Sequence, residues 1–325
     1  MTARIDHGGR LSKARGDHPL APEPWLDLST GINPQAGRWR RAPVRALARL
    51  PDPSDLKALE AAAARAFGAP ADRVVAVPGA EAGLRLLAGR LGVRRVAIAS
   101  PTYGSHADAW RLAGAEVAEV ARDKLFETDA ELRIIVNPNN PDGAVTRGGD
   151  LVAMAGDGWL LIDESFVEVE PSASASPFAG DRTIMLRSFG KFYGLPGVRL
   201  GFIVAPLELS NALRAWIGDW PVSADAIAMG QAAYADAAWA ERTRARLVAD
   251  AGRLDQLLTA AGLDVVGGTS LFRLARCEAA ARRAWRLGEE GVLVRIFAHD
   301  PNLIRFGLPA RRDWRRLQLA LERSR

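Results

Sequence analysis

Cysteine, lysine and long apolar runs are all scarce in this 325-residue chain. The single cysteine, Cys277, excludes an internal disulfide and a cysteine-built metal cage, and no metal site is expected. No apolar run approaches the roughly 20 residues of a membrane span. The segment from Met1 to Gly9 lacks the apolar centre of a secretory leader. Of 43 Lys plus Arg, only four are lysines: Lys13, Lys57, Lys124 and Lys191. Helix-turn-helix and RNA-binding aromatic signatures are also missing. The net charge of +5, carried by scattered arginines, therefore reads as compositional bias, and neither nucleic acid nor membrane is an expected partner. What remains is a globular composition, 48% hydrophobic and 25% charged, that fits a cytoplasmic enzyme.

Scarce lysine makes each one testable. Lys13 lies in a polar N-terminal segment, Lys57 on an exposed helix start and Lys124 in an Arg-Asp-Lys loop. Lys191 differs. It sits in Ser188-Phe-Gly-Lys-Phe-Tyr-Gly-Leu-Pro-Gly-Val-Arg199, between the β-like runs Thr183 to Arg187 and Leu200 to Val204, framed by glycines and a proline that shape a tight connection. A confined amine loses hydration and becomes a usable nucleophile or Schiff-base former. A solvated loop lysine is the competing interpretation of this stretch. Ser188 and Arg199 stand close enough in sequence to grip an anion beside the amine.

Short apolar runs alternate with helical patterns from Val74 to Val204, and polar or glycine-rich motifs follow the runs. Pro78-Gly-Ala80-Glu81, Pro101-Thr-Tyr103, Asn137-Pro-Asn-Asn140-Pro-Asp-Gly, Asp163-Glu-Ser-Phe and the Lys191 stretch all sit there. This predicts an α/β fold with a mainly parallel sheet between helices, its ligand outside the carboxyl ends of the strands. The expected organisation is an N-terminal arm over 1–25, a large domain over 26–206 and a smaller α+β domain over 207–325. Ser54 is the expected N-cap of a helix ending at Gly68, about 224–261 a long helix, and Pro171 to Pro177 a flexible surface loop.

One kind of cofactor suits these pieces: an aromatic nitrogen ring bearing an aldehyde, a hydroxyl and a phosphate. Lys191 takes the aldehyde. Asp163 keeps the ring nitrogen protonated, which makes the ring an electron sink, as in pyridoxal phosphate chemistry. Asn140 faces the ring hydroxylate and Tyr103 stacks on the ring. The phosphate sits at the helix start formed by Ala80 and Glu81, with Ser188 and Arg199. Each piece alone has a plainer explanation. Asp163 could be a capping residue, the Asn-Pro run a turn and Tyr103 a packing residue.

The order of these motifs resembles fold-type I pyridoxal-phosphate enzymes of the class I/II aminotransferase group. Asn140-Pro-Asp-Gly is similar to the family's Asn-Pro-Thr-Gly, Asp163 to its pyridine aspartate, and Ser188 through Lys191 to Arg199 to its lysine signature. Arg305, in Leu-Ile-Arg-Phe-Gly-Leu-Pro, is similar to the arginine that binds the substrate α-carboxylate. His7-Gly8-Gly-Arg10, Asp27-Leu-Ser-Thr-Gly-Ile-Asn33-Pro and Val294-Arg295-Ile-Phe-Ala-His299 resemble the threonine-phosphate decarboxylase branch, itself similar to histidinol-phosphate aminotransferases. The resemblance implies pyridoxal 5'-phosphate, a small phosphorylated amino-acid substrate and a homodimer. His7, Gly8, Arg10, Asn33, Asn140, Arg295 and Arg305 are the implied substrate contacts. Leu50 and Phe166 stand where relatives carry tyrosines, and Gly190 where a serine is frequent.

Overall fold

The structure, a computed structural model, describes Gly8 to Arg325. By their contacts the residues form two compact units. The larger holds Ala36–Asn140 and Ala144–Ala240, and the smaller holds the chain up to Gln35, Pro141–Gly143 and Glu241–Arg325. Residues 207–240, which a linear division places after the large domain, cluster with the larger unit.

The larger unit is built on a seven-stranded sheet. Its spatial order is Val74–Val77, Gly201–Val204, Thr183–Ser188, Trp159–Asp163, Leu132–Val136, Arg95–Ala99 and Glu116–Val120. Gly201–Val204 runs antiparallel to both neighbours, and the remaining adjacent pairs are parallel. Central strands read as unbroken apolar runs because helices cover both faces. Leu160 to Asp163 and every residue of Gly201–Val204 are buried, whereas the edge strand Glu116–Val120 has no buried residue. Leu84, Leu87 and Trp110 from the covering helices pack on Val96, Ile134, Leu161 and Ile184 of the sheet.

Three local expectations change. The helix Pro53–Phe67 is capped by Asp52, whose carboxylate accepts from the Ser54 N–H at 2.8 Å; Pro53 starts it and Gly68, at φ +68°, ends it. The long helix breaks at Asp236 into Ala224–Ala235 and Ala237–Ala260, because the Asp236 side chain accepts from the Trp239 N–H at 2.9 Å and opens a new helix. Residues 173–176 are buried, not a surface loop: Ser174 and Ser176 donate their hydroxyls to the buried Glu164 carboxylate.

In the smaller unit four antiparallel strands lie in the order Arg295–Phe297, Asp300–Gly307, Phe272–Arg276 and Asp264–Thr269. A separate parallel pair joins Leu26–Asp27 to Val292–Leu293. Among the described residues no helix is long and apolar enough to cross a membrane.

Candidate active site

In the larger unit the expected site residues gather at the carboxyl ends of the strands. Gly79 precedes the helix Ala80–Arg90 at φ +91°, and no side chain caps that helix. The Ala80 and Glu81 N–H groups at its start therefore form an anion-seeking surface. The Arg199 guanidinium closes over the same point: a Cβ on Gly79 would lie 2.6 Å from Arg199 Nη2 and displace it, and φ +91° strains any other residue there. Gly201 packs as tightly, since a Cβ there would come 2.5 Å from the Ala80 nitrogen. The Glu81 carboxylate accepts from Arg85 Nε at 2.9 Å and from the Tyr103 hydroxyl at 3.3 Å. Burial, assisted by the charges of Glu81 and Asp163, pushes the Tyr103 hydroxyl up to about 12. Asn139 ties two of the loops together. Its Oδ1 accepts from Thr102 Oγ1 at 2.7 Å and its Nδ2 donates to the Pro101 carbonyl at 3.1 Å. Asn140 follows in that loop, and Ser188 ends the strand Thr183–Ser188.

Asp163, buried at the end of Trp159–Asp163, accepts from the Ser165 N–H at 2.9 Å through Oδ1 and faces His106 Nε2 at 3.0 Å through Oδ2. Burial pushes its carboxyl up. The His106 hydrogen bond and charge, then the Lys191 charge and the Ser165 contact, outweigh that and hold it at about 2. A carboxylate so held stays ionised at neutral pH. Lys191 Nζ lies 4.0 Å from the centre of the Phe166 ring. Lys191 is half-buried while Lys13, Lys57 and Lys124 are exposed. His106 escaped the sequence reading; its place three residues after Tyr103, on the helix Ser105–Leu112, was the available signal.

The smaller unit gathers the other set. Arg295 and Arg305 stand directly opposite each other on paired antiparallel strands. Arg305 is buried, donates from Nη2 to the Ser29 carbonyl at 2.7 Å and lies 5.0 Å from the centre of the Phe272 ring. Burial, then the Arg295 charge, pulls its guanidinium down to about 10. Ser29 Oγ accepts from the Gly9 N–H at 2.7 Å, and Gly8 touches the Ser29 backbone so closely that a Cβ would collide with it. Asn33 is buried, and its Oδ1 accepts from Arg246 Nη2 at 2.9 Å. A cleft of about 240 Å³ is lined by Gly8, Arg10, Lys13, Ser29 and Arg295 among others. His7 lies outside the described residues.

Two chemistries are thus assembled: a confined amine near an ionised carboxylate and an open helix start, and a cationic pair suited to a dianionic small molecule. The aminotransferase class I and II family matches residues 23–323. The chain is 39% identical to a threonine-phosphate decarboxylase of Pseudomonas aeruginosa over 98% of this chain and 97% of the relative. It is 38% identical to one from a Sinorhizobium species over 99% of both. Among solved structures, the histidinol-phosphate aminotransferase of Sinorhizobium meliloti, in complex with pyridoxal-5'-phosphate, superposes with a TM-score of 0.84 at 20% identity, covering 99% of this chain and 95% of the other. The L-threonine-O-3-phosphate decarboxylase of Porphyromonas gingivalis gives 0.77 at 21% identity, covering 91% and 98%. These structural likenesses concern the fold.

Proposed function

The chain belongs to the class I and II aminotransferase family, and we propose that it decarboxylates L-threonine O-3-phosphate to (R)-1-amino-2-propanol O-2-phosphate with pyridoxal 5'-phosphate as cofactor, a step of cobalamin biosynthesis. The observation that carries this reading is the near-full-length likeness to two threonine-phosphate decarboxylases. The geometry supports it: a buried carboxylate held ionised suits a protonated ring nitrogen, and a glycine-framed helix start under a guanidinium suits a phosphate.

Ala80, Glu81, Ser188 and Arg199 would hold the cofactor's phosphate, Asn140 its ring hydroxylate, Tyr103 its ring face, Asp163 its ring nitrogen and Lys191 its aldehyde. When bound, the cofactor supplies an electron sink for the pair left when a bond to the amino-acid Cα breaks. Asp163 keeps its negative charge at neutral pH, and the His106 Nε2–H orients it. Lys191 Nζ, or a water, would return a proton to the substrate Cα once CO₂ has left. Arg305 takes the carboxylate of the substrate, and Arg295, Arg10 and His7 its phosphate, with Gly8 and Asn33 as further substrate contacts. Guanidiniums at facing positions of paired strands supply positive charge for a substrate with two anionic groups.

A homodimer in the cytoplasm completes the proposal. The exposed Val44, Leu47 and Leu50 offer apolar surface for a second copy. Product analysis by mass spectrometry tests the reaction. Threonine phosphate should yield CO₂ and aminopropanol phosphate without consuming 2-oxoglutarate. Turnover that depends on a keto acid would make the chain an aminotransferase for a phosphorylated substrate instead.

A further inference from the structure

Arg187 lies on the strand Thr183–Ser188, four residues before Lys191, and is buried. Its Nη1 donates to Glu164 Oε2 at 2.7 Å and to Ser174 Oγ at 3.1 Å, and its Nη2 to Glu168 Oε1 at 2.9 Å. Its guanidinium also lies 4.0 Å from the centre of the Phe67 ring. Glu164, the residue after Asp163, is wholly buried and further accepts from Ser176 Oγ at 3.0 Å and from the Ala175 N–H. Its own N–H donates to the Leu186 carbonyl at 2.8 Å. A buried ionic cluster therefore ties the strand end that carries Asp163 to the one that leads into Lys191.

Stability alone does not explain such a cluster. Desolvating two carboxylates and a guanidinium is costly, and well-packed apolar side chains of equal volume commonly stabilise as well or better. What apolar side chains lack is direction. A guanidinium fork meets two carboxylates at fixed angles, and an ammonium cannot reproduce that grip.

We propose that Arg187 is a positioning residue: by gripping Glu164 and Glu168 it fixes the Lys191 loop against the Asp163 strand end, so that amine and carboxylate keep one relative placement. The inference rests on the roles given above to Lys191 and Asp163. Arg187 acts through the backbone of both strands and through the buried 173–176 segment.

The test compares holoenzyme carrying Arg187→Lys, and separately Glu168→Gln, with the unaltered chain. Three readouts are needed: the rate at which borohydride fixes cofactor to Lys191, the pH midpoint of the cofactor absorbance, and kcat against KM. Arg187→Lys should slow fixation and kcat by about 10²-fold with KM held within about threefold, and should move the absorbance midpoint by about one pH unit. Arg214→Lys is the control. Arg214 pairs with Glu60 at 3.3 Å and donates to the Val74 carbonyl, at the opposite end of the sheet. That variant should lower the melting temperature and leave the three readouts unchanged. An Arg187→Lys enzyme with unaltered midpoint and kcat overturns the inference, whatever its melting temperature. If Arg187→Lys does not fold, Glu168→Gln decides: a shifted midpoint upholds the inference and an unshifted one overturns it. Absence of borohydride-fixed cofactor in the unaltered chain would overturn the functional proposal instead.

Discussion

Replacing His106 with leucine removes the side chain that most opposes the effect of burial on Asp163. The volume changes little, and Asp163 Oδ1 keeps the Ser165 N–H at 2.9 Å, but Oδ2 loses its partner at 3.0 Å. In the intact chain the Asp163 carboxyl is depressed from 3.8 to about 2, which corresponds to stability on the order of 2 kcal/mol at neutral pH. Its folded-state value lies below the unfolded one. The contribution is therefore complete above about pH 5 and disappears as pH falls toward 2. Without His106, burial dominates and the carboxyl rises, so the variant loses stability where the group must stay ionised. Loss of a buried charge-assisted hydrogen bond costs about 1.5–3 kcal/mol, close to the linkage figure. Urea unfolding of the cofactor-free chain at pH 7, 5 and 4, followed by circular dichroism, measures it. The expected result is a deficit of about 2–3 kcal/mol at pH 7 that narrows on acidification, as protonation relieves the variant's buried charge. A deficit below about 0.5 kcal/mol, the scatter of neutral substitutions, or one constant across the three pH values, would refute the reasoning.

Lys191→Ala should abolish borohydride-fixed cofactor and slow turnover by about 10²–10⁴-fold; the exposed Lys13, Lys57 and Lys124 should not substitute, and peptide mapping that finds the adduct on one of them would count against the assignment. Gly79→Ala places a Cβ 2.6 Å from Arg199 Nη2 at φ +91°. It should cost about 1–3 kcal/mol in urea unfolding and at least about tenfold in cofactor affinity by fluorescence titration. Arg295→Gln removes the like charge opposite Arg305. The chain should gain about 0.2–1 kcal/mol while KM for threonine phosphate rises about tenfold; a variant that gains stability without any rise in KM would remove Arg295 from the substrate assignment.

The sheet was legible because parallel strands covered on both faces leave unbroken apolar runs, as at Ile134 to Val136 and Leu160 to Ile162. Asp163 and Lys191 stood out because such runs end where ligands bind in open sheets, and the structure places the Lys191 charge near Asp163. What escaped was contact between side chains remote in sequence. His106 and Asp163 are 57 positions apart, and Arg187 and Glu164 are 23 apart. A lone histidine carries no periodic signal, and an arginine inside an apolar strand looks misplaced until its two carboxylates are seen. The serines at 174 and 176 misled for the same reason. Alternating small polar residues look solvated, yet their hydroxyls are satisfied by a buried glutamate.

Two departures from the family pattern flank Lys191. A Cβ on Gly190 would lie 2.7 Å from the Pro196 Cα, and the Gly190 carbonyl accepts from the Leu195 N–H at 3.1 Å. The turn closes on itself there, and a serine would force the backbone apart next to Lys191. The amine carried by that turn comes to rest over the Phe166 ring. Phe166 is buried. A tyrosine at this position would keep the aromatic face and add a hydroxyl that, once buried, would need a partner of its own. Phenylalanine needs none. Glycine at 190 and phenylalanine at 166 are therefore compatible with one placement of Lys191, and reverting either alone disturbs the amine from a different side: Gly190→Ser through the backbone of the turn, Phe166→Tyr through the polarity beneath the ammonium.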